Sequence, residues 1–392
     1  MGGVTESDTV TDLPPARPRV AEFFAGVGLV RMGLENAGFQ VTWSNDIEPF
    51  KRNMYVGHFG SHDEHQFVLD SIENVRGEAV PDVDLAWASF PCTDLSLAGG
   101  RSGLAGSSSG TFYEFTRVLR EMGARRPSVV ALENVLGLAT SHGGDDMIAA
   151  IRELNSLGYS VDLMAIDARR FVPQSRARLF IVGCQTPPAE VDHDTVLRPD
   201  LLQSFYSVPG LRMHRGPAPE LPALKDSGLG DIVEKIPAED ARWWGAEKTL
   251  ALLETLSSIQ MQRVLKLRNA TVTSYRTAYR RTRNGKPVWE VRPDDIAGCL
   301  RTARGGSSKQ AVVMLGQGEV AVRWMTPREY ARLMGASDYT IDGIRDSAVL
   351  FGLGDAVCAP VIHWLGDGYL RAAVQLNGSQ RVRSSQIVAR VS

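Results

Sequence analysis

Residues 19–38 read RVAEFFAGVGLVRMGLENAG, and this stretch decides the fold. The short apolar run RVAEFF ends in the glycine turn AGVG, and an amphipathic helical pattern follows. A strand that turns through glycine into a helix is the first half of a βαβ unit. Because this order recurs along the chain, the sequence predicts an α/β fold with a doubly wound, mainly parallel sheet.

Later apolar runs supply the other strands of the predicted sheet, and amphipathic segments between them supply its helices. The strand candidates are FQVTWSND (39–46), DVDLAWASF (82–90), SVVALENV (128–135), SVDLMAID (160–167) and RLFIVGCQ (178–185). The helix candidates are TFYEFTRVLREMGA (111–124) and DMIAAIRELNSLG (146–158). In such a sheet ligands bind at the carboxyl ends of the strands, so we expect the functional residues there.

The composition is that of an ordinary globular protein, with 43% hydrophobic and 22% charged residues. No run of about 18 apolar residues is present, so we expect no membrane span, and the polar start predicts no signal peptide. The cysteines are far apart, which argues against a zinc site or a disulfide scaffold and favours a reducing, cytoplasmic setting. They are Cys92, Cys184, Cys299 and Cys358.

Positive charge is concentrated in residues 261–310. This region holds twelve Lys and Arg residues against three acids, although the whole chain has a net charge of −2. A local surplus of this kind is typical of a nucleic-acid contact. A solvated, charged helix face is the alternative interpretation.

Two features point to a nucleotide-like cofactor. Phe24, Gly26 and Gly28 form a glycine turn after a strand, where a ligand can approach the backbone at a helix N-terminus. Asp46 ends the second strand, and an acid there suits the two hydroxyl groups of a ribose. A tight turn without a ligand and a helix N-cap are the simpler interpretations. Together the two features predict an adenosine-containing cofactor.

Two single residues could carry chemistry at the same edge of the sheet. Cys92 ends a strand-like run before a Gly/Ser-rich loop, as a nucleophile under a closing lid would, although a lone cysteine is often an inert small hydrophobe. Glu133 ends another strand. It could deliver a proton if burial raises its pKa, or it could cap a helix.

A third feature is the alternation of Gln174, Arg176 and Arg178 at the start of RLFIVGCQ. Alternate residues on a strand share a face, so these side chains could project together. Two arginines on a face that leads into a core are costly unless they meet acids or an anionic ligand. An exposed edge strand is the alternative.

The order and spacing of these motifs resemble the cytosine-C5 DNA methyltransferase family. The motifs are Phe-x-Gly-x-Gly, Pro-Cys-x-x-x-Ser, Glu-Asn-Val and Gln-x-Arg-x-Arg, and intervals of 66, 41 and 41 positions separate Gly26, Cys92, Glu133 and Gln174. The resemblance resumes with RWMTPREYARLMG and ends with GDAVCAPV. It covers about residues 19–183 and 321–370, and the stretch between has the variable character of the family's target-recognition domain.

The resemblance implies methyl transfer from S-adenosyl-L-methionine, with S-adenosyl-L-homocysteine as product, to a cytosine flipped out of double-stranded DNA. It implies that Cys92 adds to cytosine C6, that Glu133 protonates the N3 edge, and that Arg176 and Arg178 surround the base and the thiolate. The implied cofactor-binding residues are Phe24, Gly26, Gly28, Asp46, Ile47, Asp70, Ser71, Pro91, Phe112 and Ala356. The candidates for DNA contact are Ser96, Gln174, Tyr275, Arg276, Tyr279, Arg280, Arg281, Arg283, Arg301 and Arg304. No metal site and no membrane contact are expected.

The resemblance also implies a division of the chain. We expect a disordered lead-in at 1–18, a Rossmann-like catalytic domain at 19–190 plus 345–375, and a smaller, irregular target-recognition domain at 191–344, with a tail at 376–392. A stand-alone, prokaryotic-type monomer fits this layout, with a role in restriction-modification or with defence components as partners.

The sequence departs from the family pattern at four positions. Thr93 stands where glutamine is common, Ser109 where an arginine often precedes glycine, and Ile47 where a residue packs on adenine. Asp355 replaces the usual asparagine of the last motif and adds a negative charge where domain packing is expected. None of these departures removes a catalytic group.

Three other functions remain as alternatives. An RNA methyltransferase of the same family would use identical chemistry, but the short cysteine-containing insert of that branch is not visible before Arg323. A DNA-binding homologue without turnover is disfavoured by the intact Cys92 and Glu133. A dehydrogenase is suggested by the glycine turn alone, which is not Gly-x-Gly-x-x-Gly.

Overall fold

The computed structural model describes residues 17–91, 110–192, 194–302 and 309–379 of the 392-residue chain. The predicted lead-in therefore lies almost wholly outside the described residues. So do Cys92, Thr93, Ser96, Ser109 and Arg304.

The predicted α/β fold with a mainly parallel sheet is confirmed. The strands of the first sheet are β1 (Arg19–Phe23), β2 (Gln40–Asp46), β3 (Gln66–Leu69), β4 (Leu85–Ala88), β5 (Val129–Asn134), β6 (Ser160–Asp167) and β7 (Ala177–Cys184). Their order among the described residues is β3-β2-β1-β4-β5-β7-β6. Pairs from β3 through β5 are parallel, and β7 is antiparallel to both of its neighbours. The chain order reverses between β1 and β4, which is where such sheets bind ligands.

Helices cover both faces of the first sheet. They include α1 (Leu29–Asn36), α2 (Pro49–Phe59), α3 (Thr111–Glu121) and α4 (Asp145–Ser156). In β1, Val20 belongs to the apolar cluster that includes α1, whereas Ala21 and Phe23 belong to the cluster that includes α3 and α4. Strands buried on both faces are continuously apolar, and this explains why RVAEFF shows no polar–apolar alternation.

A helical run near the C-terminus packs against α1. It contains α10 (Asp346–Asp355), α11 (Ala359–Leu365), a π-helical turn at Gly366–Leu370 and helical residues up to Ser379, so helix extends into the predicted tail. A Cβ on Gly33 of α1 would lie 2.5 Å from Ile362 Cβ, so glycine permits this close contact. By length and composition the run could cross a membrane, but 61% of its most apolar window is buried against the protein, as in a core helix.

A second sheet is built from the basic region and the residues after it. Its strands are β8 (Ser274–Arg283), β9 (Lys286–Val291), β10 (Ala311–Gly316) and β11 (Glu319–Trp324), all antiparallel in the order β11-β10-β8-β9. The β8–β9 turn at Asn284 and Gly285 has φ of 50° and 75°, as a two-residue hairpin requires. This sheet has its own small core with residues of α7 (Ala246–Leu253) and α8 (Ser258–Arg268).

The remaining helices of the predicted recognition domain have their buried apolar residues in the two clusters that also contain residues of the first sheet. They are α5 (Asp200–Tyr206), α6 (Leu229–Ile232) and α9 (Pro327–Leu333). A capping box between Thr326 and Glu329 starts α9, and Tyr330 and Leu333 are fully buried in the same apolar cluster as α1. The domain boundaries at residues 191 and 344 stay a prediction.

Candidate active site

The glycine turn lies at the carboxyl edge of the first sheet, directly after β1. Phe24 has φ of 56°, and Gly26 and Gly28 have φ of 58° and 82°. A Cβ on Gly26 would meet no atom within 4 Å, whereas a Cβ on Gly28 would lie 2.4 Å from the Phe59 ring. The turn is therefore packed tightly at Gly28 and open at Gly26, where a ligand could approach the backbone.

Asp46 lies at the end of β2, beside the turn. Its two carboxylate oxygens accept hydrogen bonds from Gly26 N (2.8 Å) and Glu48 N (2.9 Å), which fix the side chain beside the turn. The neighbouring Ile47 is 62% exposed. Asp70, after β3, accepts from the backbone N of Ser71 at 2.7 Å.

The carboxylate of Glu133, at the end of β5, meets the guanidinium of Arg178 on β7. Arg178 Nε lies 3.0 Å from Glu133 Oε1, and both side chains are mostly buried. Burial raises the pKa of Glu133 above its usual range, although Arg178 and Arg176 act in the opposite direction. A carboxyl group whose pKa is raised keeps its proton to a higher pH than a surface glutamate does, and a protonated carboxyl group can act as a general acid.

Arg176 is nearly fully buried beside this pair and is held by backbone carbonyls. Its guanidinium donates to Leu300 O (2.8 Å) and Ala356 O (2.6 Å). These two hydrogen bonds connect the residue just before β7 to the segment around Leu300 and to the loop after α10. The expectation that Gln174, Arg176 and Arg178 alternate on a strand needs correction, because β7 begins only at Ala177.

Gln174 is fully buried. Its side-chain amide donates to Leu333 O at 2.8 Å, and its carbonyl accepts from Leu300 N at 3.1 Å. The DNA contact expected of Gln174 thus has no counterpart at the surface of this structure. The side chain instead joins α9 to the Leu300 segment.

Asp355, one of the four departures from the family pattern, forms an ion pair with a lysine. Lys51 Nζ on α2 lies 2.7 Å from its carboxylate, and Thr302 Oγ1 donates to it at 3.5 Å. The extra negative charge is therefore balanced by a lysine that the motif comparison did not single out. Since α2 begins just after Asp46 and Ile47, this pair links the loop after α10 to the cofactor side of the site.

Several expected cofactor and active-site residues lie near the end of β4. Phe112 on α3 is fully buried, and its ring centroid is 5.4 Å from that of Phe90. Asn134, the neighbour of Glu133, donates to Phe90 O at 3.2 Å, and Pro91 is exposed. The chain just before Cys92 thus lies beside the end of β5, while Cys92 itself is outside the described residues.

The expected DNA-contacting residues fall mainly on the β8–β9 hairpin. Arg283 and Arg281 lie 2.6 and 3.8 Å from the carboxylate of Glu290, and Arg276 lies 3.7 Å from Asp295. Tyr275 packs against the apolar cluster that includes α1. The guanidinium of Arg281 lies 4.9 Å from the Tyr279 ring centroid. Arg280 has no ion-pair partner among the described residues, and Arg301 is exposed. The hairpin therefore carries both neutralised and unneutralised cations.

Sequence reasoning missed two polar residues of the site. Cys299 Sγ lies 3.5 Å from Arg176 Nη1, and Lys51 pairs with Asp355 as described above. Both lie far in sequence from their partners, so no local pattern could have shown them. Over the part of the chain that the structure describes, no group of three His, Cys, Asp or Glu residues could hold a metal ion.

Comparison with known proteins gives the family. The family model for C-5 cytosine-specific DNA methylase matches residues 18–369. The Type II methyltransferase M.Bsp6I of Bacillus sp. (strain RFL6) is 34% identical over 168 residues, which are 42% of this chain and 51% of that protein. The Type II methyltransferase M.NlaX of Neisseria lactamica is 25% identical over 372 residues, which are 93% of this chain and 99% of that protein. The chain thus spans about half the length of several curated relatives and nearly all of M.NlaX.

Among solved structures, the Entamoeba histolytica methyltransferase EhMeth has a TM-score of 0.57 at 14% identity, covering 89% of this chain and 97% of that one. At that identity the likeness supports the fold alone. The family model, by contrast, spans most of the sequence and both sheets. This chain therefore belongs to the C-5 cytosine-specific DNA methylase family.

Proposed function

We propose that this chain is a DNA (cytosine-5-)-methyltransferase, acting on a cytosine flipped out of double-stranded DNA with S-adenosyl-L-methionine as methyl donor. The observation that carries the proposal is the buried Glu133, held 3.0 Å from Arg178 at the sheet edge that also bears the glycine turn and Asp46. A buried acid with a raised pKa and a nucleotide-type cofactor site at one edge suit the activation of a neutral, aromatic base.

The residues present fit the cofactor. Gly26 leaves open space beside the backbone, and Asp46 presents a carboxylate whose orientation two amides fix. In the proposal, Asp46 binds the ribose hydroxyls, Ile47 packs on the adenine, and Asp70 with Ser71 lies near its amino group. Phe112 supports the site from beneath, and Ala356 borders it. Bound there, S-adenosyl-L-methionine would supply an electrophilic methyl group on a sulfonium and leave as S-adenosyl-L-homocysteine.

The proposed chemistry begins at Cys92. Its thiolate forms a bond to cytosine C6, which breaks the aromaticity of the ring and makes C5 nucleophilic. Glu133 gives its proton to N3, which draws electron density away from C6 and makes the addition of the thiolate easier. Arg178 orients the Glu133 carboxyl, and Arg176 holds the adjoining backbone in place. Once C5 is methylated, a solvent water takes the C5 proton, Cys92 leaves C6 as a thiolate, and N3 returns its proton to Glu133, so that the aromatic ring and the acid are both restored.

Double-stranded DNA is the proposed partner. Flipping the base costs a few kcal/mol, which protein–DNA contacts must offset. The basic hairpin β8–β9, with Arg280, and the exposed Arg301 are the proposed phosphate and groove contacts. Ser96 and Arg304 keep that role as predictions. Restriction-modification or defence components are proposed as functional partners, acting on the DNA of the cytoplasm.

Bisulfite sequencing of DNA from cells that express the chain tests the proposal. We expect protected cytosines in one sequence context with the wild type and none with Cys92→Ala, because the latter cannot form the bond to C6. The Cys92→Ala variant should still bind S-adenosyl-L-methionine in a calorimetric titration, which shows that it is folded. Absence of protected cytosines in the wild type, or equal protection by both proteins, would overturn the proposal.

A further inference from the structure

Residues 296–300 connect the second sheet to the candidate active site. On one side, Ala297 N donates to Pro173 O at 2.7 Å, and Ser175 N donates to Ala297 O at 3.0 Å. On the other side, Gly298 N donates to Thr277 Oγ1 of β8 at 3.4 Å. The segment is thus clamped between β8 and the loop that precedes β7, and this fixes the position of the next residue, Cys299.

The side chain of Cys299 lies between the two arginines of the site. Its Sγ is 3.5 Å from Arg176 Nη1 and 3.9 Å from Arg178 Nη2. Arg178 in turn lies 3.0 Å from Glu133 through its Nε. One guanidinium therefore faces a carboxyl group from the first sheet and a thiol from the segment that leads to the second.

We propose that Cys299 is a positioning residue that acts as a thiolate counter-ion, shares Arg176 and Arg178 with Glu133, and so sets the pH up to which Glu133 keeps its proton. This inference rests on the proposed function, because the proton on Glu133 matters only in that reaction. It does not require Cys299 to touch the cytosine or the cofactor.

The charges around the cluster favour the thiolate. Burial raises the pKa of the Cys299 thiol, but Arg176 and Arg178 outweigh it, helped by Arg301, so that the net shift is downward. The other two described cysteines behave in the opposite way. Burial raises the pKa of Cys184 and of Cys358 to about 12.

The consequence for Glu133 follows from the same geometry. The charges that act on Glu133 are Arg178 and Arg176, which stabilise its ionised form, and Asp355, which opposes ionisation. A thiolate at Cys299 offsets part of the field of the arginines. Without it, both guanidinium groups act on Glu133 alone, and the acid loses its proton at a lower pH.

The first experiment needs neither DNA nor activity. The ultraviolet absorbance of the thiolate is followed against pH as the difference between the wild type and Cys299→Ser. We expect the Cys299 thiol to ionise at a lower pH than free cysteine. Ionisation at or above the pH of free cysteine would overturn the counter-ion proposal, whatever the chain does to DNA.

The second experiment compares the pH dependence of single-turnover methyl transfer in the wild type, Cys299→Ser and Cys299→Asp. A serine hydroxyl can take the place of the sulfur, which lies 3.3 Å from Leu300 O, but it carries no charge, whereas aspartate carries the negative charge proposed for the thiolate. We expect equal rates at low pH and a loss of up to about tenfold in Cys299→Ser on the basic side, a shift of about one pH unit. Cys299→Asp should restore the wild-type profile.

A loss in both variants that is uniform over pH would mean a packing role and overturn the proposal. Thermal melting of both variants distinguishes that case from a failure to fold. If the wild type methylates no DNA, the proposed function fails and the link to Glu133 falls with it. The absorbance titration then still decides whether Cys299 is a counter-ion of the arginines.

Discussion

At Glu133, two opposing effects act on one carboxyl group. Burial favours the neutral form, whereas the guanidinium of Arg178, 3.0 Å away, favours the ionised form. Because burial is the larger effect, the pKa of Glu133 lies above that of a surface glutamate. The residue therefore keeps its proton to a higher pH than a surface glutamate and can release it to a base that becomes more basic as the thiolate adds.

Replacement of this acid gives the first prediction at the residue scale. Glu133→Gln keeps the size and a hydrogen-bond donor but cannot transfer a proton, so methyl transfer should fall about 10²- to 10⁴-fold in single-turnover assays. In the wild type the rate should decline as pH rises through the raised pKa of Glu133, since the protonated form is the active one. This basic-side decline should be absent from the residual activity of Glu133→Gln.

DNA binding is the control for this variant. The affinity for DNA, measured by fluorescence anisotropy, should change little. Glu133 is mostly buried, and its replacement affects proton transfer and not the contacts with phosphate. A variant that keeps wild-type rates and the same pH profile would remove Glu133 from the role of acid.

Sequence motifs predicted part of the site at this scale. The arginines were expected to meet an acid or an anionic ligand, and Arg178 meets Glu133, because β5 and β7 are neighbours in the sheet. Cys299 could not be found, since its approach to the arginines depends on how a distant segment packs against the loop before β7. The sequence placed Gln174 at the DNA, but an amide that satisfies backbone groups of α9 and Leu300 is fixed inside the protein.

At the scale of elements, burial on both faces made strands easy to predict. β1, β4 and β5 are almost wholly buried and consist mainly of apolar residues, so they stand out in the sequence. β3 was missed, because its four residues, QFVL, lie at the sheet edge and are half-exposed. The strand β8, SYRTAYRRTR, was visible only as a basic stretch, since four of its ten residues are arginines and its last three residues are exposed.

Arg280 of the β8–β9 hairpin, which is half-buried and has no ion-pair partner among the described residues, gives the second prediction. Arg280→Ala should weaken DNA binding and flatten the dependence of log K on log salt by about one, the loss of one phosphate contact. The measurement is a salt titration of affinity on a duplex that carries the methylated sequence context.

Arg283→Ala is a matched control on the same hairpin. Arg283 lies 2.6 Å from Glu290 and is therefore already neutralised by an acid. Its replacement should change the salt slope less than that of Arg280. An unchanged slope in Arg280→Ala, or a larger change in Arg283→Ala, would show that Arg280 does not contact the phosphates.

At the scale of the whole molecule, one buried carboxyl group makes the stability of the fold depend on pH. Glu22 on β1 is fully buried, and its Oε1 has no hydrogen-bond partner among the described residues. Ser44 Oγ donates to the other oxygen at 3.4 Å. Burial raises the pKa of Glu22 to about 8, even though Arg31 lowers it. An acid that is neutral when folded makes the folding equilibrium depend on pH.

The sign of that dependence gives the third prediction. Since the folded state holds the proton more tightly than the unfolded one, the contribution of Glu22 to stability is full below about pH 4.5 and is lost as pH rises to about 8. Within that range the slope approaches about 1.4 kcal/mol per pH unit. Urea unfolding of the wild type and of Glu22→Gln at several pH values measures it. The difference in free energy of unfolding should shift steadily in favour of Glu22→Gln as pH rises, because the amide has no proton to lose, and a pH-independent difference would show that Glu22 is ionised in the folded protein.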